Sequence, residues 1–186
     1  MRVVGGKWRG RRLSNISNKP VGLDLRPTMD RVRETIFNIL ENGLNFDVRE
    51  KRVLDLFCGT GALGFEALSR GAEHVCFIDK EKTSLNLVSE NSRILKVNKE
   101  VTILKRDVTK LTWNSNDHYD LIFLDPPYGK SLGEIALGLA IERNWISKKA
   151  IIIWEERNEV IPPRELNLIS SRTIGNTGLY FLKRCH

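Results

Sequence analysis

The stretch Val53-Leu54-Asp55-Leu56-Phe57, followed at once by Cys58-Gly59-Thr60-Gly61, restricts the fold more than any other part of the chain. A run that is apolar apart from Asp55, with no polar alternation, reads as a strand covered on both faces, which is the habit of parallel sheets. A glycine turn and a helical pattern through Arg70-Gly71 follow it, and the same alternation then repeats. His74–Asp79 reads as a strand, Lys82–Leu95 as a helix, Val101–Leu104 and Asp120–Leu124 as strands. A helix from about Leu132 to Arg143 and a strand at Ala150–Trp154 come next. Strands near Leu166–Thr173 and Gly178–Lys183 close the chain as a hairpin. The expected class is therefore α/β, a mostly parallel seven-stranded sheet with helices on both faces.

Before this alternation lie short pieces around Arg2-Val3-Val4 and Arg11-Arg12-Leu13, separated by glycines, which predict a small basic hairpin or arm. A polar loop spans Ser14 to Asp24. A helix then starts at Pro27-Thr28, with Thr28 as N-cap and Met29, Val32, Ile36 and Ile39/Leu40 as its buried stripe. That stripe leaves Arg31, Arg33 and Glu34 off the core, and Asn42-Gly43 suits the C-terminal end. The division expected is residues 1–26 as arm and loop and 27–186 as the α/β unit, in one globular domain overall.

Charge is segregated rather than spread. Residues 1–33 hold nine Lys/Arg against Asp24 and Asp30, and the remainder has 21 basic and 21 acidic side chains. The formal net charge of +7 thus sits in the first 33 residues. Such clustering is the electrostatic footprint of a polyanion. Arg2, Lys7, Trp8, Arg9, Arg11, Arg12, Arg26, Thr28, Arg31 and Arg33 are the candidate nucleic-acid contacts. A solvated basic edge that only keeps the protein soluble is the bland alternative.

Other classes are disfavoured. No apolar run reaches the length of a membrane span. The N-terminus has positive charge without an apolar signal-peptide core behind it, so cytoplasmic residence is expected. Cys58, Cys76 and Cys185 are too scattered for a disulfide framework or a zinc cluster, as are His74, His118 and His186, and no metal is expected. Nothing suggests an obligate dimer, and a monomer is expected.

Asp125-Pro126-Pro127-Tyr128 closes the apolar run Leu121–Leu124. Prolines donate no backbone hydrogen bond and have nearly fixed φ, so their carbonyls and the Asp125 carboxylate can be held as acceptors around one point. The exocyclic amine of a nucleobase supplies the matching donors, and Tyr128 can lie on the face of the base. The chemistry this suits is methylation of a base amine. An ordinary strand-ending turn is the competing reading.

Upstream, Gly59-x-Gly61-x-x-Gly64 sits at the first strand-to-helix turn, where glycines let a ligand approach the backbone. Asp79 ends the second strand about 20 residues later, where such folds place a ribose-binding carboxylate. The candidate cofactor residues are Asp55, Phe57, Gly59, Thr60, Gly61, Asp79, Lys80, Asp107 and Val108. Asp55 is expected to accept from a cationic amino-acid moiety, and Asp107 from an adenine amine with Val108 and Lys80 along the ring. Asp55, Asp79, Asp107 and Asp125 all end or follow strands, so they gather at one sheet edge. That acidic rim suits a sulfonium cofactor better than a diphosphate, although the glycine spacing also fits a dinucleotide. Cys58 reads as a small buried residue, not a nucleophile.

Taken together these residues resemble class I S-adenosylmethionine-dependent methyltransferases with a DPPY-type motif. More narrowly, Val4–Arg11, Leu25–Glu34, Asp55–Gly64, Glu66–Gly71 and Asp125–Tyr128 make the chain similar to the RsmD family of 16S ribosomal RNA guanine-N2 methyltransferases. The resemblance spans nearly the whole length and leaves the pattern mainly at the loop Ser14–Asp24 and at the end near His186. It implies a Rossmann-like class I fold, S-adenosyl-L-methionine as cofactor, and Asp125, Pro126, Pro127 and Tyr128 as the catalytic turn. It also implies a guanosine of small-subunit ribosomal RNA, within an assembled ribonucleoprotein, as substrate. Four alternatives remain open: an adenine-N6 methyltransferase on DNA or RNA, an NAD-dependent oxidoreductase, a non-catalytic RNA-binding module and, least favoured because the sequence has no GxxxxGK(S/T) loop, a phosphate-hydrolysing enzyme.

Overall fold

The computed structural model describes residues 1–15, 27–115, 118–127 and 131–185. Seven strands, β1 (Arg52–Leu56), β2 (His74–Asp79), β3 (Val101–Lys105), β4 (Tyr119–Leu124), β5 (Ile146–Glu156), β6 (Leu166–Ile174) and β7 (Thr177–Arg184), form one sheet. Their order is β3-β2-β1-β4-β5-β7-β6. Strands β1 to β5 pair in parallel, and β7 runs antiparallel between β5 and β6. The expected α/β architecture is therefore the observed one. Strand β5 starts at Ile146, four residues before the expected Ala150, because Tyr119 pairs with Ile146 ahead of a register shift.

Helices α1 (Pro27–Asn38), α2 (Ala62–Ser69), α3 (Lys82–Leu95) and α4 (Leu132–Glu142) cover the sheet. Alternate strand residues point to opposite faces, and this sorts the core in two. Val53, Val75, Phe77, Leu121, Phe123, Ile151, Ile153, Leu179 and Phe181 meet α1, α2 and α3 on one side. Leu54, Leu56, Cys76, Ile78, Ile122, Leu124, Ile152, Trp154 and Leu182 meet α4 on the other.

Helix α1 departs from expectation in detail. It begins at Pro27, a first-turn position that proline tolerates, which places Thr28 inside the helix rather than at its cap. Its end widens into a π-turn over Ile39–Gly43. Val32, Ile36, Phe37 and Leu40 are buried, whereas Met29 is 47% exposed. Arg33 is buried too, contrary to expectation.

The N-terminal segment folds back on itself as a small hairpin: Arg2 and Arg12 form an antiparallel bridge, Val3 N–H donates to the Arg11 carbonyl (3.0 Å), Gly10 N–H to the Val3 carbonyl (2.9 Å) and Leu13 N–H to the Met1 carbonyl (2.9 Å), and Gly6–Trp8 forms a 3-10 turn. It lies flat on the body rather than projecting from it. Val3 and Leu13 join the α1–α3 core. The Val4 N–H donates to Glu66 Oε2 (2.8 Å), the Trp8 N–H to Ser69 Oγ (2.9 Å), and Ser69 Oγ to the Gly5 carbonyl (2.6 Å). Gly6 has φ +70°, and a Cβ there would lie 2.0 Å from the Ser69 carbonyl oxygen, so a side chain would push the segment off α2.

Candidate active site

Leu56 pairs with Leu124 at the ends of β1 and β4, so the glycine elbow and the Asp125-Pro126-Pro127 turn leave the sheet side by side. Asp79 closes β2 at the same edge, and Asp107 follows β3. These segments and the starts of α3 and α4 enclose a cavity of about 620 Å³. Asp79, Lys80, Glu81 and Ser84 line it from the β2–α3 side, and Asp107, Val108 and Thr109 from β3. Phe57, Asp125, Pro126, Pro127 and Leu132 complete the wall. The volume falls within the usual range of small-molecule sites, about 300–1,000 Å³.

Within the elbow Phe57, Gly59 and Gly61 all have positive φ, at 58°, 52° and 76°. The left-handed region is uncommon for a residue like phenylalanine, and it points the chain sharply back toward α2. The elbow's own amides are already bonded. Gly59 N–H donates to Asp79 Oδ2 (2.9 Å), Gly61 N–H to the Cys58 carbonyl (2.7 Å), and Gly64 N–H to Asp55 Oδ2 (3.1 Å). Asp79 Oδ1 accepts from the Glu81 N–H (2.9 Å). Asp79 thus ties the elbow to the start of α3 while bordering the cavity. Asp107 caps its own turn, accepting from Thr109 N–H (3.0 Å) and Oγ1 (2.6 Å), and these bonds hold its carboxyl below the usual range.

Asp55 is placed differently from Asp79 and Asp107. It is 3% exposed, does not line the cavity, and supports the backbone of α2 through Gly64. Burial, with further repulsion from Asp125, Asp79 and Glu155, raises its pKa well above the ordinary value. In this position Asp55 holds the elbow through the Gly64 amide. Gly59, Thr60 and Gly61 also lie off the cavity wall, and the Thr60 carbonyl accepts from Asn91 Nδ2 (3.3 Å). Burial pushes the Cys58 thiol up, away from any nucleophilic state.

The acceptor turn has a neighbour that the sequence did not disclose. Leu124 pairs with Trp154, which sets Asp125 beside Glu155 at the adjacent strand end. Glu155 is 7% exposed. Burial first, and then Asp125, raise its pKa to about 8, with Arg33 opposing the shift. Asp125 is pushed up to about 6 by burial and by Glu156. The expected strand ended at Trp154, so Glu155 counted as loop; two acids directly after an apolar run at the active edge were the available signal. Glu81, Ser84, Thr109 and Leu132 were also missed, being set by loop geometry and not by a motif.

The basic candidates divide. Lys7, Arg9, Arg11, Arg12 and Arg31 are exposed, and Trp8 is half-buried with the Lys7 ammonium 5.2 Å from its ring centre. Arg2 Nε binds Asp30 Oδ2 at 2.8 Å. Arg33 is a correction: it is 4% exposed, and one terminal nitrogen donates to both Asp30 Oδ1 (2.6 Å) and the Arg2 carbonyl (2.9 Å). It fastens α1 to the N-terminal segment and cannot reach a phosphate. Tyr128 and Arg26 lie outside the described residues, as does the side chain of Thr28.

The family model described as conserved hypothetical protein 95 matches residues 1–183. Ribosomal RNA small subunit methyltransferase D of Haemophilus influenzae is 37% identical over 181 residues, covering 94% of this chain and 89% of that relative. Putative rRNA methyltransferase YlbH of Bacillus subtilis is 34% identical, covering 99% of each. Among solved structures, putative methyltransferase yhhF from Escherichia coli superposes with a TM-score of 0.85 at 30% identity, over 99% of this chain and 97% of that one.

Proposed function

The chain belongs to the conserved hypothetical protein 95 family, the RsmD family, and on that premise we propose that it methylates the N2 amine of a guanosine in small-subunit ribosomal RNA. It is a methyltransferase of ribosomal RNA that uses S-adenosylmethionine. The guanine N2 position, the assembled ribonucleoprotein as target, the monomeric state and cytoplasmic residence belong to the proposal. No described helix is long and apolar enough to cross a membrane.

One observation carries the reading: Phe57 at the start of the elbow and the acceptor turn border a single cavity whose wall holds Asp79, Glu81, Asp107 and Asp125 against one base, Lys80. Dinucleotide sites offer free amides at a helix N-terminus to a pyrophosphate. Here the Gly59, Gly61 and Gly64 amides already have partners, and the acids would repel a diphosphate. The donor set therefore fits S-adenosylmethionine and disfavours NAD. Asp79 would hold the ribose hydroxyls, Asp107 the adenine amine, and Phe57, Val108 and Leu132 the apolar ring. When bound, the cofactor supplies a methyl group already activated by the sulfonium charge.

The protein then has mainly to position the amine, and near-attack placement is worth roughly 7–11 kcal/mol. Ionised Asp125 and the Pro126 carbonyl accept the amine hydrogens, leaving the nitrogen lone pair free to face the methyl carbon. Asp125 offsets the positive charge that grows on nitrogen and is placed to receive the proton the methylated amine releases. Tyr128 is assigned the stacking role on the extruded base.

The test is methyl transfer from tritiated cofactor to small subunits lacking the modification, with mass analysis of the nucleosides. Label is expected in N2-methylguanosine, and label in N6-methyladenosine would establish the adenine reading instead. Asp125→Asn is expected to slow the step by about 10²–10³-fold, the usual effect of removing one such electrostatic partner. S-adenosylhomocysteine affinity, measured by calorimetry, should hardly change.

A further inference from the structure

A second concave surface lies at the same sheet edge, away from the cavity. It is a groove of about 500 Å³ between α1 and strand β6. Arg31, Thr35 and Asn38, spaced four and three residues apart on one helical face, form its wall. Ser170, Arg172 and Ile174, alternate residues of β6, form its floor. Opposed residues of an antiparallel pair share a face, and Arg172 pairs with Leu179, which belongs to the α1-side core. The Arg172 side chain is therefore on the α1 side of the sheet, together with Arg31.

We propose, resting on the assignment of this chain as an rRNA methyltransferase, that the α1–β6 groove holds the sugar–phosphate backbone of the RNA flanking the target nucleotide. The register puts it in line with the chemistry. Asp125 stands beside Glu155, Glu155 pairs with Leu179, and Leu179 pairs with Arg172. Three strand spacings of about 4.8 Å separate Asp125 from Arg172, roughly 14 Å, which a nucleic-acid backbone crosses in a few nucleotides. Arg31 and Arg172 are exposed, and neither pairs with an acid among the described residues. That separates them from Arg2 and Arg33, which are held by Asp30. Among the described residues no acidic side chain lines the groove, and the hydroxyl and amide groups along it suit phosphate and ribose oxygens. Strand β6, read in the sequence only as half of a closing hairpin, thus gains a contact role.

The experiment compares the full-length chain with Arg31→Gln, Arg172→Gln, the double variant and Thr35→Glu. It reads binding of a protein-free RNA fragment as a function of salt, KM and kcat on small subunits, and S-adenosylhomocysteine affinity. Lys99→Gln, exposed before β3 at the far edge of the sheet, is the control. For the double variant the slope of log K against log salt should flatten by about 1.4, the value for two contacts to a single strand. KM should rise at least tenfold with kcat and cofactor affinity nearly unchanged, and Thr35→Glu should weaken RNA binding similarly. Unchanged slope and KM would overturn the groove assignment. A defect on subunits with none on protein-free RNA would also overturn it, marking the groove as a contact for a ribosomal protein. Failure of the unsubstituted protein to methylate any nucleoside would count against the enzyme assignment, while RNA binding by the variants would still test the groove.

Discussion

Gly64→Ala gives the sharpest test of how the elbow is held. In an open helix this change stabilises by about 1 kcal/mol. Here a Cβ would lie 2.3 Å from Phe77 Cε1, 2.7 Å from Phe77 Cζ and 2.8 Å from Val75 Cγ1. Nonbonded carbons normally approach to about 3.5–4.0 Å, so the Phe77 ring would have to retreat by about 1 Å. It has nowhere to go, being fully buried and set 4.8 Å from the Phe65 ring. Overpacking of this kind costs about 1–3 kcal/mol, and three close approaches to immobile atoms place it near the upper figure. Subtracting the helical gain leaves a net loss of about 2 kcal/mol, which lowers Tm by about 4–8 °C in a chain of this size. Thermal melts of Gly64→Ala, Phe77→Leu and the double variant measure it, and the pair should couple by about 1 kcal/mol or more, since Leu gives the new methyl room. Cofactor affinity should fall as well, because β2 ends in Asp79, which ties down the Gly59 amide. A Gly64→Ala protein that melts higher than its parent would refute the close approach of α2 to β2.

Two further expectations concern charge. Burial and Asp125 keep Glu155 protonated up to about pH 8, whereas an unfolded glutamate loses its proton near about 4.3. The folded state then binds more protons than the unfolded chain between these limits, so stability falls as pH rises through the window. Glu155→Gln should match its parent in Tm at about pH 4 and exceed it by several degrees at about pH 8.5, and a pH-independent difference would refute the shift. Neutralising Arg9, Arg11 and Arg12 together should weaken RNA binding and flatten its salt slope by about 0.7 for each phosphate that is no longer neutralised. Calorimetry with S-adenosylhomocysteine should show no change.

Local pattern determined most of the architecture. Apolar runs with acids at their ends, glycines after β1 and helical spacing between strands are short-range signals. They specified the α/β class, the seven strands and the gathering of Asp79, Asp107 and Asp125 at one edge. The exposed basic residues of the first segment were legible for the same reason, since charge density needs no fold to be read.

Orientation was settled only by tertiary packing. Arg31 and Arg33 stand two residues apart on α1, about 200° around the helix axis, so one faces solvent and the other the core. Nothing in their common chemistry tells them apart until β5 and the N-terminal segment close over one side. Asp55 and Asp79 both end or nearly end strands, yet one is enclosed beneath α2 and the other borders the cavity. Glu155 acquired its environment from a neighbour 30 positions away, through the pairing of β4 with β5. Periodicity along a chain encodes which residues are buried together within one element. Which groups meet across elements depends on strand order and register, and these are fixed by long-range contacts.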